Sequence, residues 1–117
     1  MINQREKGKR YERDIAKKIN KPHGTNLRRT PLSGGLNLKG DILEIDPDSP
    51  AYPYHWELKN QKALHIPKWW DQTTSDCPSS KIPVLVYKMR QEDMVSITLN
   101  DFLGLILDTN NEENNDK

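Results

Sequence analysis

Two periodicities alternate along the chain. From about Arg5 to Asn20, "REKGKRYERDIAKKIN", Tyr11, Ile15 and Ile19 recur four residues apart with Ala16 beside them. That spacing draws one narrow apolar stripe on an otherwise charged helix, and Pro22 and Gly24 end it. The stretch "YHWELK" (Tyr54 to Lys59) has period two instead. Tyr54, Trp56 and Leu58 share one face, and His55, Glu57 and Lys59 share the other, as in a strand. "DILEI" (Asp41 to Ile45) is a second strand. "DPDSPAYP", with three prolines, is the turn that joins the two into an antiparallel hairpin.

Between the first helix and the hairpin, "TNLRRTPLSGGLNLKG" has only scattered apolar residues and reads as a loop with a short strand at most. Residues 66–76, "IPKWWDQTTSD", place Pro67 near a helix start. "IPVLVYK" (Ile82 to Lys88) is a continuous apolar run suited to a central strand, and "DMVSITL" (Asp93 to Leu99) follows as a more alternating one. Asn100 or Asp101 can cap a last short helix, "FLGLIL". The order is helix, two or three strands, helix, strand, strand, helix. It predicts an α/β domain with a central mixed sheet flanked by helices.

Composition narrows this picture. A chain of 117 residues forms one core, assigned here to residues 1–107. Asp108 to Lys117, "DTNNEENNDK", is acidic, lacks any apolar residue and is expected to be disordered. The single Cys77 permits neither an internal disulfide nor a cysteine-based zinc site, which suits a reducing cytoplasm. No apolar run reaches the length of a membrane span. Net charge is only +1, but residues 1–40 hold 11 Lys/Arg against 3 Asp/Glu, and residues 41–117 hold 7 against 14. The first third is therefore a candidate polyanion-binding surface, while the rest carries most of the acids.

Those acids raise a chemical question. In the predicted hairpin the start of the first strand lies beside the end of the second, so Asp41 can reach the face of Glu57 and Lys59. Converging carboxylates repel unless a cation sits between them, and carboxylate oxygens are the ligands that Mg²⁺ prefers. A metal held by Asp41 and Glu57, with the Leu58 carbonyl as a further oxygen, could lower the pKa of a bound water. Lys59 could orient or deprotonate that water, or stabilise charge on the transition state. The plainer alternative is a surface ion pair between Glu57 and Lys59, worth well under ~1 kcal/mol, with Asp41 a strand-start acid and Glu12 a helix-surface acid.

Gly40-Asp41, a hairpin and then Glu57-x-Lys59, behind a helix bearing Glu12, resembles the PD-(D/E)XK nuclease superfamily. Within it the chain is most similar to small Holliday-junction resolvases of archaea and phages, over about Lys7 to Lys88. The resemblance implies a metal site of Glu12, Asp41, Glu57 and Lys59, with Mg²⁺ as cofactor and Mn²⁺ as its substitute. It also implies a Ser/Thr- and Gly-rich loop against the scissile phosphate, where "RRTPLSGG" supplies Thr30 and Ser33. A catalytic glutamine in the following helix would be Gln72. Gly40 departs from the proline of the motif's name.

Read this way, the chain is a metal-dependent DNA endonuclease. Arg5, Lys7, Lys9, Arg10, Arg28 and Arg29 would bind phosphates, and Gly34 and Gly35 would let backbone amides approach them. Junction resolution requires two symmetric cuts, hence a homodimer. Cleavage of ordinary duplex by the same chemistry and a non-catalytic DNA-binding module are the competing readings. His55 is expected to be structural or to touch DNA, while His23 and His65 should be exposed. One of Trp69 and Trp70 should point inward, and the other should cover the active-site rim, stack on a base or, by preference, pack at a dimer interface. A phage origin follows from the likeness alone.

Overall fold

Asn3 opens the first helix: its side chain accepts a hydrogen bond from the Glu6 amide at 2.8 Å, satisfying one of the free donors of the first turn. The computed structural model of the protein describes residues 3–31 and 40–115, with side chains as far as residue 107. Helix α1 runs Gln4–His23 and closes on Gly24, whose left-handed φ of 63° lets its amide reach the Asn20 carbonyl. Then follow β1 (Arg28–Arg29), β2 (Ile42–Leu43), β3 (Tyr54–Lys59), α2 (Ile66–Asp76), β4 (Ile82–Met89), β5 (Glu92–Ser96) and α3 (Leu99–Asn115).

The strands form one mixed sheet in the order β1-β2-β3-β4-β5. β2 and β3 pair antiparallel, as the hairpin pattern predicts. β3 and β4 are parallel, joined by the α2 crossover, and β5 returns antiparallel to β4. This is the expected α/β architecture, restriction-endonuclease-like in layout.

The two faces of β3 enter two cores. Leu58, Val84 and Val86 pack with Tyr11, Ile15 and Ala16 of α1, and Trp56 lies against that cluster. On the opposite face Trp69 of α2 covers Leu85 and Tyr87, with Trp70 partly buried beside them. Trp69 is therefore the inward one of the two tryptophans, and Trp70 packs partly buried against the same core. The end of the chain also differs from expectation. β5 stops at Ser96, and the Thr98 hydroxyl, rather than Asn100 or Asp101, accepts the Asp101 amide at 3.1 Å to start α3. That helix continues to Asn115, into the segment whose composition pointed to no regular structure.

Candidate active site

Ile42 lies opposite Trp56 in the β2–β3 ladder, and residues opposed across a ladder share a face. One step along each strand, Asp41 therefore falls across from Glu57, within reach of Glu12 on α1. The pairing is tied by backbone as well. The Asp41 amide donates to the Trp56 carbonyl at 2.8 Å, and the Leu58 amide donates to Asp41 Oδ2 at 2.8 Å. Because the amide and carbonyl of one strand residue point to the same side, the Leu58 carbonyl is also directed toward β2.

The electrostatics of the pair follow from this closeness. Burial raises the Asp41 pKa, the Glu57 charge and a hydrogen bond with the Glu57 carboxyl raise it further, and Glu12 adds to the effect. The Leu58 amide opposes them, and the result is about 7 instead of 3.8. Glu57 is buried and bonded to His55, whose Nε2 lies 3.0 Å from Oε1. Glu12 is close enough to be felt at Asp41, but its own carboxylate is held by Arg29 Nε at 3.0 Å. Among the described residues no three His, Cys, Asp or Glu side chains are placed to hold one ion together. The acids that converge are thus two, Asp41 and Glu57, with Glu12 at their margin.

Lys59 shares the Glu57 face by strand alternation and is half-buried. Gln72 is exposed on α2, whose inward positions are Trp69 and Thr73, and no hydrogen bond joins it to either acid among the described residues. The Thr30 amide donates to the Asp41 carbonyl at 3.0 Å, and its buried hydroxyl has no hydrogen-bond partner among the described residues. Ser33, Gly34 and Gly35 lie outside the described residues.

A cavity of about 310 Å³ opens above Asp41. Arg5, Lys9 and Glu12 of α1 line one wall, and Arg29, Thr30 and Gly40 the other. Of the expected phosphate ligands, this brings Arg5, Lys9 and Arg29 to Asp41 and Glu12, while Glu57 and Lys59 do not line the cavity. Arg10 is exposed on α1 outside this lining. Lys7 faces a separate cavity beside Lys62, Lys88 and Arg90, and Arg28 lines a groove next to the site.

Three further residues support the site: Gly40 and Asn20, which the sequence reading gave no role, and His55, which it expected to be structural or to touch DNA. Gly40 has φ +91°, and a Cβ there would sit 3.0 Å from the Trp56 carbonyl oxygen and 3.5 Å from the His55 ring. Proline, fixed near −65°, cannot occupy that position, which explains the departure from the motif's name. His55 is only 3% exposed, so it buttresses Glu57 and cannot touch DNA. Asn20 closes the turn behind β1: Oδ1 accepts from Thr25 Oγ1 and the Leu27 amide, and Nδ2 donates to the Leu27 carbonyl. His23 and His65 are exposed, as expected.

No curated protein and no solved structure matches the chain. The model of a family described as "Phage putative PDDEXK endonuclease" matches residues 3–115. No helix of the described residues is long and apolar enough to cross a membrane. With a match over nearly the whole length, on a mixed sheet that brings the acids of Asp41 and Glu57 together, the chain belongs to the phage PDDEXK endonuclease family.

Proposed function

We propose that the protein is a divalent-cation-dependent endonuclease that hydrolyses DNA phosphodiester bonds, with four-way junctions as its preferred substrate and a two-fold homodimer as its working form. One observation carries the reading. Asp41 and Glu57 meet across β2 and β3, where burial and then the Glu57 charge raise the Asp41 pKa to about 7. Such a pair suits a site that gives up protons when a cation arrives.

The donors fit Mg²⁺ or Mn²⁺: two carboxylates and the Leu58 carbonyl, all hard oxygens, with room left for water. Such an ion, when bound, supplies charge against the scissile phosphate and acidifies a water. The chain's residues supply the rest. Arg5, Lys9 and Arg29 hold the phosphates over Asp41. His55 keeps the Glu57 carboxylate aimed, and the Lys59 amine orients or deprotonates the attacking water. Arg29 also restrains Glu12, so a phosphate that draws Arg29 away frees a third carboxylate beside Asp41.

A cleavage assay tests the reading, using a labelled four-way junction beside its linear arms over a Mg²⁺ titration. Cutting should depend on the metal and favour the junction. Glu57→Gln and Lys59→Ala should each lower the rate by roughly 10²-fold or more, the scale at which proton-transfer and charge-stabilising groups act. Equal cutting of the linear arms would move the assignment to a duplex nuclease. Activity indifferent to metal and to both substitutions would reduce the protein to a binding module.

A further inference from the structure

We propose that the groove between the C-terminal half of α1 and strand β1 is a second phosphate-binding track, which carries DNA away from the catalytic cavity. The inference rests on the nuclease reading and deepens it. The groove has a volume of about 640 Å³ and is walled by Arg13, Lys17 and Lys21 of α1 and by Arg28 and Arg29. No acid lines it. Its floor is apolar, with Ala16 and the buried Leu27 at the bottom, so little in it competes for the cations.

Spacing and pairing set this stripe apart from an ordinary solvated helix face. Arg13, Lys17 and Lys21 follow one another at four-residue intervals, so they stand on one side of the helix and span about 12 Å along its axis. A DNA strand presents one phosphate per roughly 3.4 Å of its axis, so the stripe covers about three. Like charges at this interval work against the helix. They gain no compensation within the protein, because none of the three is ion-paired among the described residues. Lys18, one step round the helix, shows the contrast: its Nζ is bonded to Asp93 at 2.8 Å. A polyanion supplies the missing counter-charge.

Position makes that polyanion the substrate's own backbone. Arg29 lines both this groove and the cavity over Asp41, so the two are continuous through one side chain. Asn20, which also lines the groove, clamps the turn ahead of Arg28 and fixes β1 against α1. Phosphates leaving the catalytic cavity past Arg29 would meet Arg28 and then the α1 stripe.

Fluorescence anisotropy of a labelled duplex, without divalent ions and over a salt series, tests the track. All three α1 positions are exposed and alanine favours helices, so R13A/K17A/K21A should fold, which circular dichroism verifies. Its slope of log affinity against log salt should be shallower than the wild type's by about 2–3, since each lost phosphate contact removes roughly 0.9. Binding should weaken at least tenfold. R13K/K17R/K21R, which keeps the charges, should bind as the wild type does. A matched triple elsewhere, K62A/K68A/R90G (glycine suits the left-handed Arg90), should change the slope by less than one. The proposal is overturned by an unchanged slope in the alanine triple, by equal loss in the matched triple, or by equal loss in the charge-keeping variant. Failure of the nuclease reading looks different: the wild type would cut no DNA in Mg²⁺, whatever the metal-free binding shows.

Discussion

Burial and the neighbouring Glu57 carboxylate lift the Asp41 pKa to about 7, against an ordinary value of 3.8. The consequence for stability has a definite sign. Between those two values the unfolded chain has released the Asp41 proton while the folded chain still holds it, so the folded state binds more protons and stability falls as pH rises. This contribution is fully present below pH 4 and is lost as the pH passes through 7. Thermal unfolding without metal should therefore show a Tm that declines from pH 5 to pH 8. Asp41→Asn, which has no proton to lose, should flatten that decline. Added Mg²⁺ should restore more Tm at pH 8 than at pH 5, because only the ionised pair attracts it. A parallel decline in wild type and Asp41→Asn would place the pH dependence elsewhere, with Glu44 ruled out as its source. Burial pushes Glu44 up, but the amides of Asn26 and Asp46 and the Ser49 hydroxyl outweigh it and hold its carboxyl below the usual range.

At the scale of elements, the site depends on how β1 is set against α1, and Asn20 makes that joint with three hydrogen bonds of 2.7–2.8 Å. Asn20→Ala strands the Leu27 amide and carbonyl in a partly buried turn. It should cost on the order of 1–3 kcal/mol per group left unsatisfied, read as a lower midpoint in urea. Because Arg28 and Arg29 follow Leu27 in β1, junction binding should weaken as well. Nothing in the sequence singles out this joint. Asn20 ends a helix pattern with a residue that usually faces solvent, and its partners belong to a loop with no periodicity. By contrast, the α1 stripe and the hairpin were legible, because each writes its packing face into a repeat of 3.6 or 2, and β4 was legible as a continuous apolar run buried on both faces. The opposition of Asp41 and Glu57 was legible only as a possibility. It required the register Ile42↔Trp56, which the ten-residue connection leaves open, and a glycine at position 40 with φ +91° that passes close to the Trp56 carbonyl.

Over the whole molecule, α3 is the element that the fold leaves over. It makes few contacts with the other elements, yet Leu99, Phe102, Leu103 and Ile106 recur at the 0, 3, 4, 7 spacing of an apolar stripe and are 42–69% exposed. A single copy has no use for such a face, and among side chains 99–107 the one charge is Asp101, so two copies could meet there without repulsion. The proposed dimer, two catalytic sites related by a two-fold axis, would bury it. Light scattering should give twice the chain mass at micromolar concentrations, with a Tm that rises with concentration as expected for association coupled to folding. Leu103→Asp combined with Ile106→Asp should yield a monomer. That monomer should keep the Asp41 and Glu57 geometry, which rests on the β2–β3 pairing, and should still nick DNA in Mg²⁺. It should lose the paired cuts that resolve a junction. A double variant that remains dimeric would move the two-fold contact off α3. One that resolves junctions as a monomer would remove the dimer from the mechanism and leave α3 exposed for some other reason.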